Sequence, residues 1–199
     1  NKGVLNLKSD NRRFQMIRKA VKWLDERIVD DYTNLKKIKS KSLNNYQLKS
    51  SQTQYLYLRT LLIDIIPIPD KSEAAIEYYT NQAKKYWLKQ SNQLQGMTAM
   101  ALYKFGHRNE SEAIIRSLIE RSLYSVEMGM YWRQEAGWHW YQAPVETQAM
   151  MIETMAVLDN NPTIIEQLKI WLLKQKQTQH WKTSSATAEA VYALLMYGN

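Results

Sequence analysis

The window GWHWYQAPVETQ, residues 137–148, holds the densest set of chemically capable side chains in this sequence. Trp138, His139, Trp140 and Tyr141 crowd it, and Glu135 and Glu146 flank His139. Two carboxylates beside sugar-stacking aromatics are the equipment of a glycosidase or lyase. One acid protonates the leaving oxygen and the other serves as base or nucleophile, at a separation of about 5–10 Å. The competing reading places Glu146 in the first turn of a helix, where a carboxylate meets the positive end of the dipole. The aromatics then pack a hairpin. Helix-end electrostatics explain Glu146 with fewer demands, so no catalytic residue is expected. Glu135 and Glu146 remain the acid pair of the alternative, an α/α-barrel carbohydrate-active enzyme.

Other chemistries lack their residue sets. The histidines, His107, His139 and His180, stand in no HExxH or His-x-His pattern, and there is no cysteine. No metal and no cofactor are expected. Ser184 and Ser185 lie near His180, but no nucleophile elbow and no orienting acid accompany them, and either serine suits a helix cap. The acids at Asp25, Asp30, Asp31, Asp64, Asp70 and Asp159 are scattered, so the aspartate-rich motifs of allylic cation chemistry are missing. The stretch QTQHWKTSS, residues 177–185, repeats the polar-aromatic character of the first window. Trp138, His139, Trp140, Tyr141, His180 and Trp181 therefore form the expected interaction surface, provided both stretches fall on one end of the fold.

The elements that would carry these residues follow from a repeat. Spacings of 45, 49 and 40 residues separate Thr53, Thr98, Thr147 and Thr187. Gln follows Thr53 and Thr147; Ala follows Thr98 and Thr187. A recurring period in the forties marks a stacked supersecondary unit. Each threonine opens a stretch with helical periodicity, as in Ala188, Val191, Tyr192 and Leu195. A more charged amphipathic helix precedes each. Ile17, Val21, Leu24 and Ile28 line the first of these; Ile76, Tyr79, Ala83 and either Tyr86 or Trp87 the second. Ile115, Leu118 and Ile119 line the third; Ile165, Leu168 and Leu172 the fourth. The spacing predicts an all-α fold of four αα-hairpins, a wetter helix followed by a smaller-residue, more buried one. Stacked hairpins of this kind form part of an α/α toroid of terpenoid-cyclase-like architecture or an open solenoid. Gln175 with Trp181, and Gln134 with Gly137-Trp138, resemble the Gln…Trp tie of such toroids, in which the amide meets orphan helix-end groups.

Residues 1–199 read as one domain, with 45% hydrophobic residues and only 6 Gly and 4 Pro. The net charge of +8 is spread along the chain. Its densest cluster, Lys36, Lys37, Lys39 and Lys41, reads as a solvated connector, and no nucleic-acid partner is expected. The longest apolar run, LLIDIIPIP, is short, charged and proline-broken, so no membrane span is expected. Asn1 and the Gly198-Asn199 end read as the limits of a piece of something larger.

The run EMGMYW…WYQAPVETQAMMIE followed by LKIWLLKQKQTQHWKTSSATAEAVYALL, Glu127 to Leu195, resembles the thioester-domain region of bacterial alpha-2-macroglobulin-like proteins. QTQYLYLR and QGMTAMALYKFG fit the same type more loosely. The resemblance implies an α/α toroid among β-sandwich domains. It also implies a role in protease trapping or protection of the bacterial envelope, in a periplasmic protein or surface lipoprotein. Other domains of the same large protein, proteases and envelope proteins are the implied partners. The family's covalent trap needs a cysteine in a Cys-x-Glu-Gln motif, and this chain has none. Either that motif precedes Asn1, or the chain belongs to a subgroup lacking it.

Overall fold

Long runs of good helix formers broken by few glycines and prolines leave the backbone little alternative to helix. The computed structural model describes residues 11–38, 43–133, 144–178, 181 and 183–197. Among the described residues the fold is mostly helical. Its α-helices are α1 (Asn11–Lys37), α2 (Ser50–Leu62), α3 (Asp70–Tyr86), α4 (Asn92–Lys104), α5 (Arg108–Glu120), α6 (Pro144–Leu158), α7 (Pro162–Thr178) and α8 (Ser184–Tyr197). A two-stranded antiparallel hairpin, β1 (Leu123–Ser125) and β2 (Gly129–Tyr131), pairs Leu123 with Tyr131 and Ser125 with Gly129. No described helix is long and apolar enough to cross a membrane. The helices gather in two compact units, divided between Lys89 and Gln90.

In the first unit, α1 and α2 both pack on α3. Val21 and Ile28 of α1, Leu56 of α2, and Ala75, Ile76, Tyr79 and Ala83 of α3 are buried. These include the residues that the 3.6-residue periodicity assigns to the packed faces of α1 and α3. Helix α1 runs to Lys37, so Lys36 and Lys37 lie in its last turn rather than in a connector. There their charges favour the negative end of the dipole. Lys39 and Lys41 lie outside the described residues. A single 3-10 turn, Trp87–Lys89, finishes α3.

In the second unit, α4, α6 and α8 pack as successive neighbours, while α5 lies against α4 and α7 against α6. Helix α6 meets partners on several sides and buries nearly everything between Val145 and Met155. Gly96 permits the close approach of α4 and α6: a Cβ there would lie 3.0 Å from Thr154 Oγ1 and 3.3 Å from Met150 Cγ. The turn from α4 to α5 passes through Gly106 at a φ of 87°, a left-handed value open to glycine. Asn161 caps α7, its Oδ1 accepting from Thr163 N at 3.1 Å.

Three local expectations are corrected. The third charged helix, expected over SEAIIRSLIERSLY, residues 111–124, stops at Glu120, because Leu123 to Tyr131 turn into the hairpin. The repeat pairs each such helix with the helix after it, but α5 packs chiefly on the preceding α4, and α7 on the preceding α6. The connections α4–α5 and α6–α7 are three residues long, whereas longer segments lead from α5 to α6 and from α7 to α8. Short loops hold their two helices side by side. Helix α8 buries Ala186, Ala190 and Ala193, while Val191 and Leu195 of the expected face are exposed.

Candidate functional site

The aromatic window is held at both ends. Upstream of it, Trp132 is buried and donates its indole N–H to the Leu118 carbonyl of α5 at 2.8 Å. Tyr131 stacks on Trp171 of α7, with centroids 6.3 Å apart. Gly129, at a φ of 69°, lies so close to α7 that an added Cβ would collide with the Gln167 carbonyl oxygen. Downstream, Pro144 takes the first helical position of α6, where its missing N–H costs nothing. Gln148 then binds the two sides together. Its buried amide donates to the Met130 carbonyl of β2 at 2.8 Å and to the Leu168 carbonyl of α7 at 3.0 Å.

Of the expected interaction surface, Trp138, His139, Trp140, Tyr141 and His180 lie outside the described residues, as do Glu135, Gln134 and Gly137. Trp181 and Glu146 are described. Glu146 sits in the first turn of α6, and its Oε1 accepts from Thr183 Oγ1 at 3.3 Å. The same Thr183 oxygen accepts from Ala186 N at 3.0 Å. Thr183 is therefore the cap of α8, in place of the expected Ser184 or Ser185. This contact brings the starts of α6 and α8 to the same end of the unit. Trp181 lies beside them with the Lys176 ammonium 5.0 Å from its ring centroid, a cation–π geometry. No hydrogen bond joins Gln175 to Trp181 among the described residues; the glutamine tie in this unit is made by Gln148 instead.

Two polar clusters are not apparent from the sequence. In the first unit, Tyr55 donates its hydroxyl to Asp25 Oδ1 at 2.7 Å, and Arg59 Nε lies 3.6 Å from the same oxygen. Asp25 and Arg59 are 2% and 0% exposed. Arg59 Nη2 also donates to the Ile66 carbonyl at 3.0 Å, tying α2 to the turn that follows it. Burial, and then the bond to Asp25, raise the Tyr55 hydroxyl far above its ordinary pKa. Asp25 lies four residues from Val21 and three from Ile28, on the apolar stripe of α1. An acid in a stripe is the signal that marks it. In the second unit, Lys169 of α7 is buried, ion-paired to Glu166, and donates to the Tyr197 carbonyl at 3.1 Å. Tyr192 and Tyr197 meet edge to face, and their pKa values are raised by burial first and by the charge of Glu153 next.

These arrangements tie helices together. Among the described residues, no group of three or more His, Cys, Asp or Glu side chains stands where it would hold a metal ion. No family model, no curated protein and no solved structure matches this chain.

Proposed function

We propose that this chain is a non-catalytic helical domain of a bacterial alpha-2-macroglobulin-like envelope protein, forming part of an α/α toroid. It acts in protease trapping or envelope protection by presenting surfaces to neighbouring domains and partner proteins. The observation that carries the proposal is the stretch Glu127 to Leu195, whose residues resemble that family's thioester-domain region. Within it, Trp132 and Gln148 are buried and hydrogen-bond to α5, β2 and α7, and Trp171 is buried against Tyr131. The succession α4, α6, α8, with α5 packed on α4 and α7 on α6, supports the reading as an arc of such a toroid. Glu146 supports the same reading, because its partner is a capping threonine at a helix start. With no cysteine in the chain, covalent capture would have to use a reactive group from elsewhere in a longer protein.

The test has two arms. The purified chain is mixed with a panel of endoproteases and resolved by size-exclusion chromatography with light scattering. It is also assayed against a panel of polysaccharides, with Glu135→Gln and Glu146→Gln as controls. Complex formation without turnover is expected. Polysaccharide cleavage that either glutamine variant abolishes would replace the scaffold with a carbohydrate-active enzyme.

A further inference from the structure

Helix α1 divides its charges lengthwise. From Asn11 to Leu24 it carries Arg12, Arg13, Arg18, Lys19 and Lys22 and no acid. From Asp25 onward the acids appear, and most of them are engaged. Asp25 is buried against Arg59, Glu26 lies 3.4 Å from Lys71, and Asp31 lies 3.4 Å from Arg27. Asp30 is the exposed acid that follows, nearly two turns beyond Trp23.

The first half of the helix has two faces. Val21 is buried, with Phe14, Ile17 and Leu24 beside it on the packed side. Arg12, Met16, Lys19 and Trp23 follow one another at spacings of four, three and four, which places them on a single ridge. That ridge points away from Val21, and all four residues are exposed. Met16 is 65% and Trp23 61% exposed, high values for two large apolar side chains on a helix whose other side is packed. Arg18 and Lys22, also exposed, flank the row. The ridge extends over about 16 Å, the rise of eleven helical residues.

We infer that the Arg12–Met16–Lys19–Trp23 ridge of α1 docks the protein on a bilayer surface rich in anionic lipid. The cations answer the negative surface potential, each contributing through an attraction that fades within a Debye length. Trp23 and Met16 supply the apolar contact. An indole with an apolar body and a polar N–H favours the headgroup boundary. A convex ridge suits a broad, yielding surface. Single-strand binders stack successive bases on several aromatics along a basic groove, and this convex ridge carries a single indole.

The test is co-sedimentation of the full chain with phosphatidylcholine vesicles and with vesicles containing phosphatidylglycerol. Binding to the anionic vesicles alone is expected at about 0.1 M salt, where the Debye length is about 10 Å, shorter than the rise of about 25 Å between Lys19 and Lys36. Arg12→Gln with Lys19→Gln should weaken it roughly 25-fold, about fivefold for each cation. Lys36→Gln with Lys37→Gln removes the same net charge from the far end of the same helix and should weaken it by less than about threefold. Trp23→Ser should abolish the residual binding that persists at about 0.5 M salt, where charge attraction is screened. All five substituted positions are exposed, so circular dichroism spectra and unfolding midpoints should match those of the parent. The inference is overturned by equal losses in the two glutamine pairs, by equal binding to neutral vesicles, or by tighter binding to single-stranded nucleic acid than to anionic vesicles.

Discussion

Replacing Asp25 by Asn tests whether a single buried charge governs the first unit. The substitution keeps the size of the side chain and an acceptor for the Tyr55 hydroxyl, which now lies 2.7 Å from Asp25 Oδ1. What it removes is the negative charge 3.6 Å from Arg59 Nε. Arg59 is 0% exposed, and among the described residues its Nε and Nη1 have no hydrogen-bond partner, so its charge is answered chiefly by Asp25 and by the Ile66 carbonyl. Breaking a buried pair from one side leaves an uncompensated charge and costs about 3–5 kcal/mol. That is a large share of the roughly 5–15 kcal/mol that holds a typical domain. Replacing both partners by apolar residues of similar size removes the charge as well. Asp25→Leu with Arg59→Met is therefore expected to be more stable than Asp25→Leu alone, its remaining cost of about 1–3 kcal/mol being the Tyr55 hydroxyl left without its acceptor. Urea unfolding followed by circular dichroism measures both variants. A cost below about 1 kcal/mol for Asp25→Asn, or a double variant no better than Asp25→Leu alone, would refute the reasoning.

Three further outcomes are expected. Gly129→Ala should cost about 2 kcal/mol or more in urea unfolding, because the residue is held at a positive φ and its Cβ would meet the Gln167 carbonyl oxygen. Gln148→Leu strips the donor from the Met130 and Leu168 carbonyls and should cost about 1–3 kcal/mol, read as a lower unfolding midpoint of the second unit. Stability should also fall as pH rises above about 10, the ordinary pKa of a tyrosine in the unfolded chain. The Tyr55 and Tyr79 hydroxyls, both raised chiefly by burial, keep their protons in the fold while the unfolded chain loses its own. Each adds up to about 1.4 kcal/mol of loss per pH unit, and Tyr79→Phe should flatten the alkaline limb of a stability profile.

Helix positions were legible because helical periodicity is local. Ile17, Val21 and Ile28 in α1, or Ile165, Leu168 and Leu172 in α7, recur at the helical period whatever the rest of the chain does. The caps are equally local: the cap of α8 was expected at Ser184 or Ser185, and Thr183 lies one residue before the first of them. The aromatic window and its flanking acids were conspicuous by composition, but composition does not say which neighbour a side chain meets. Gln148 looked like one polar residue in an apolar helix until β2 and α7 brought two carbonyls to it.

Partners distant in sequence were decided only in three dimensions. Asp25, Tyr55 and Arg59 come from two helices separated by a loop, and nothing near any of them names the others. The hairpin between α5 and α6 exists in a chain of strong helix formers because Gly129 lets it lie against α7 and Trp132 finds a carbonyl on α5. In α8 the sequence determined an apolar helix but not which side would be covered. Packing against α6 took the alanine side, Ala186, Ala190 and Ala193, and left Val191 and Leu195 exposed. Small side chains let two helix backbones approach closely, and that choice depends on the surface offered by the neighbour, which a periodic pattern does not contain.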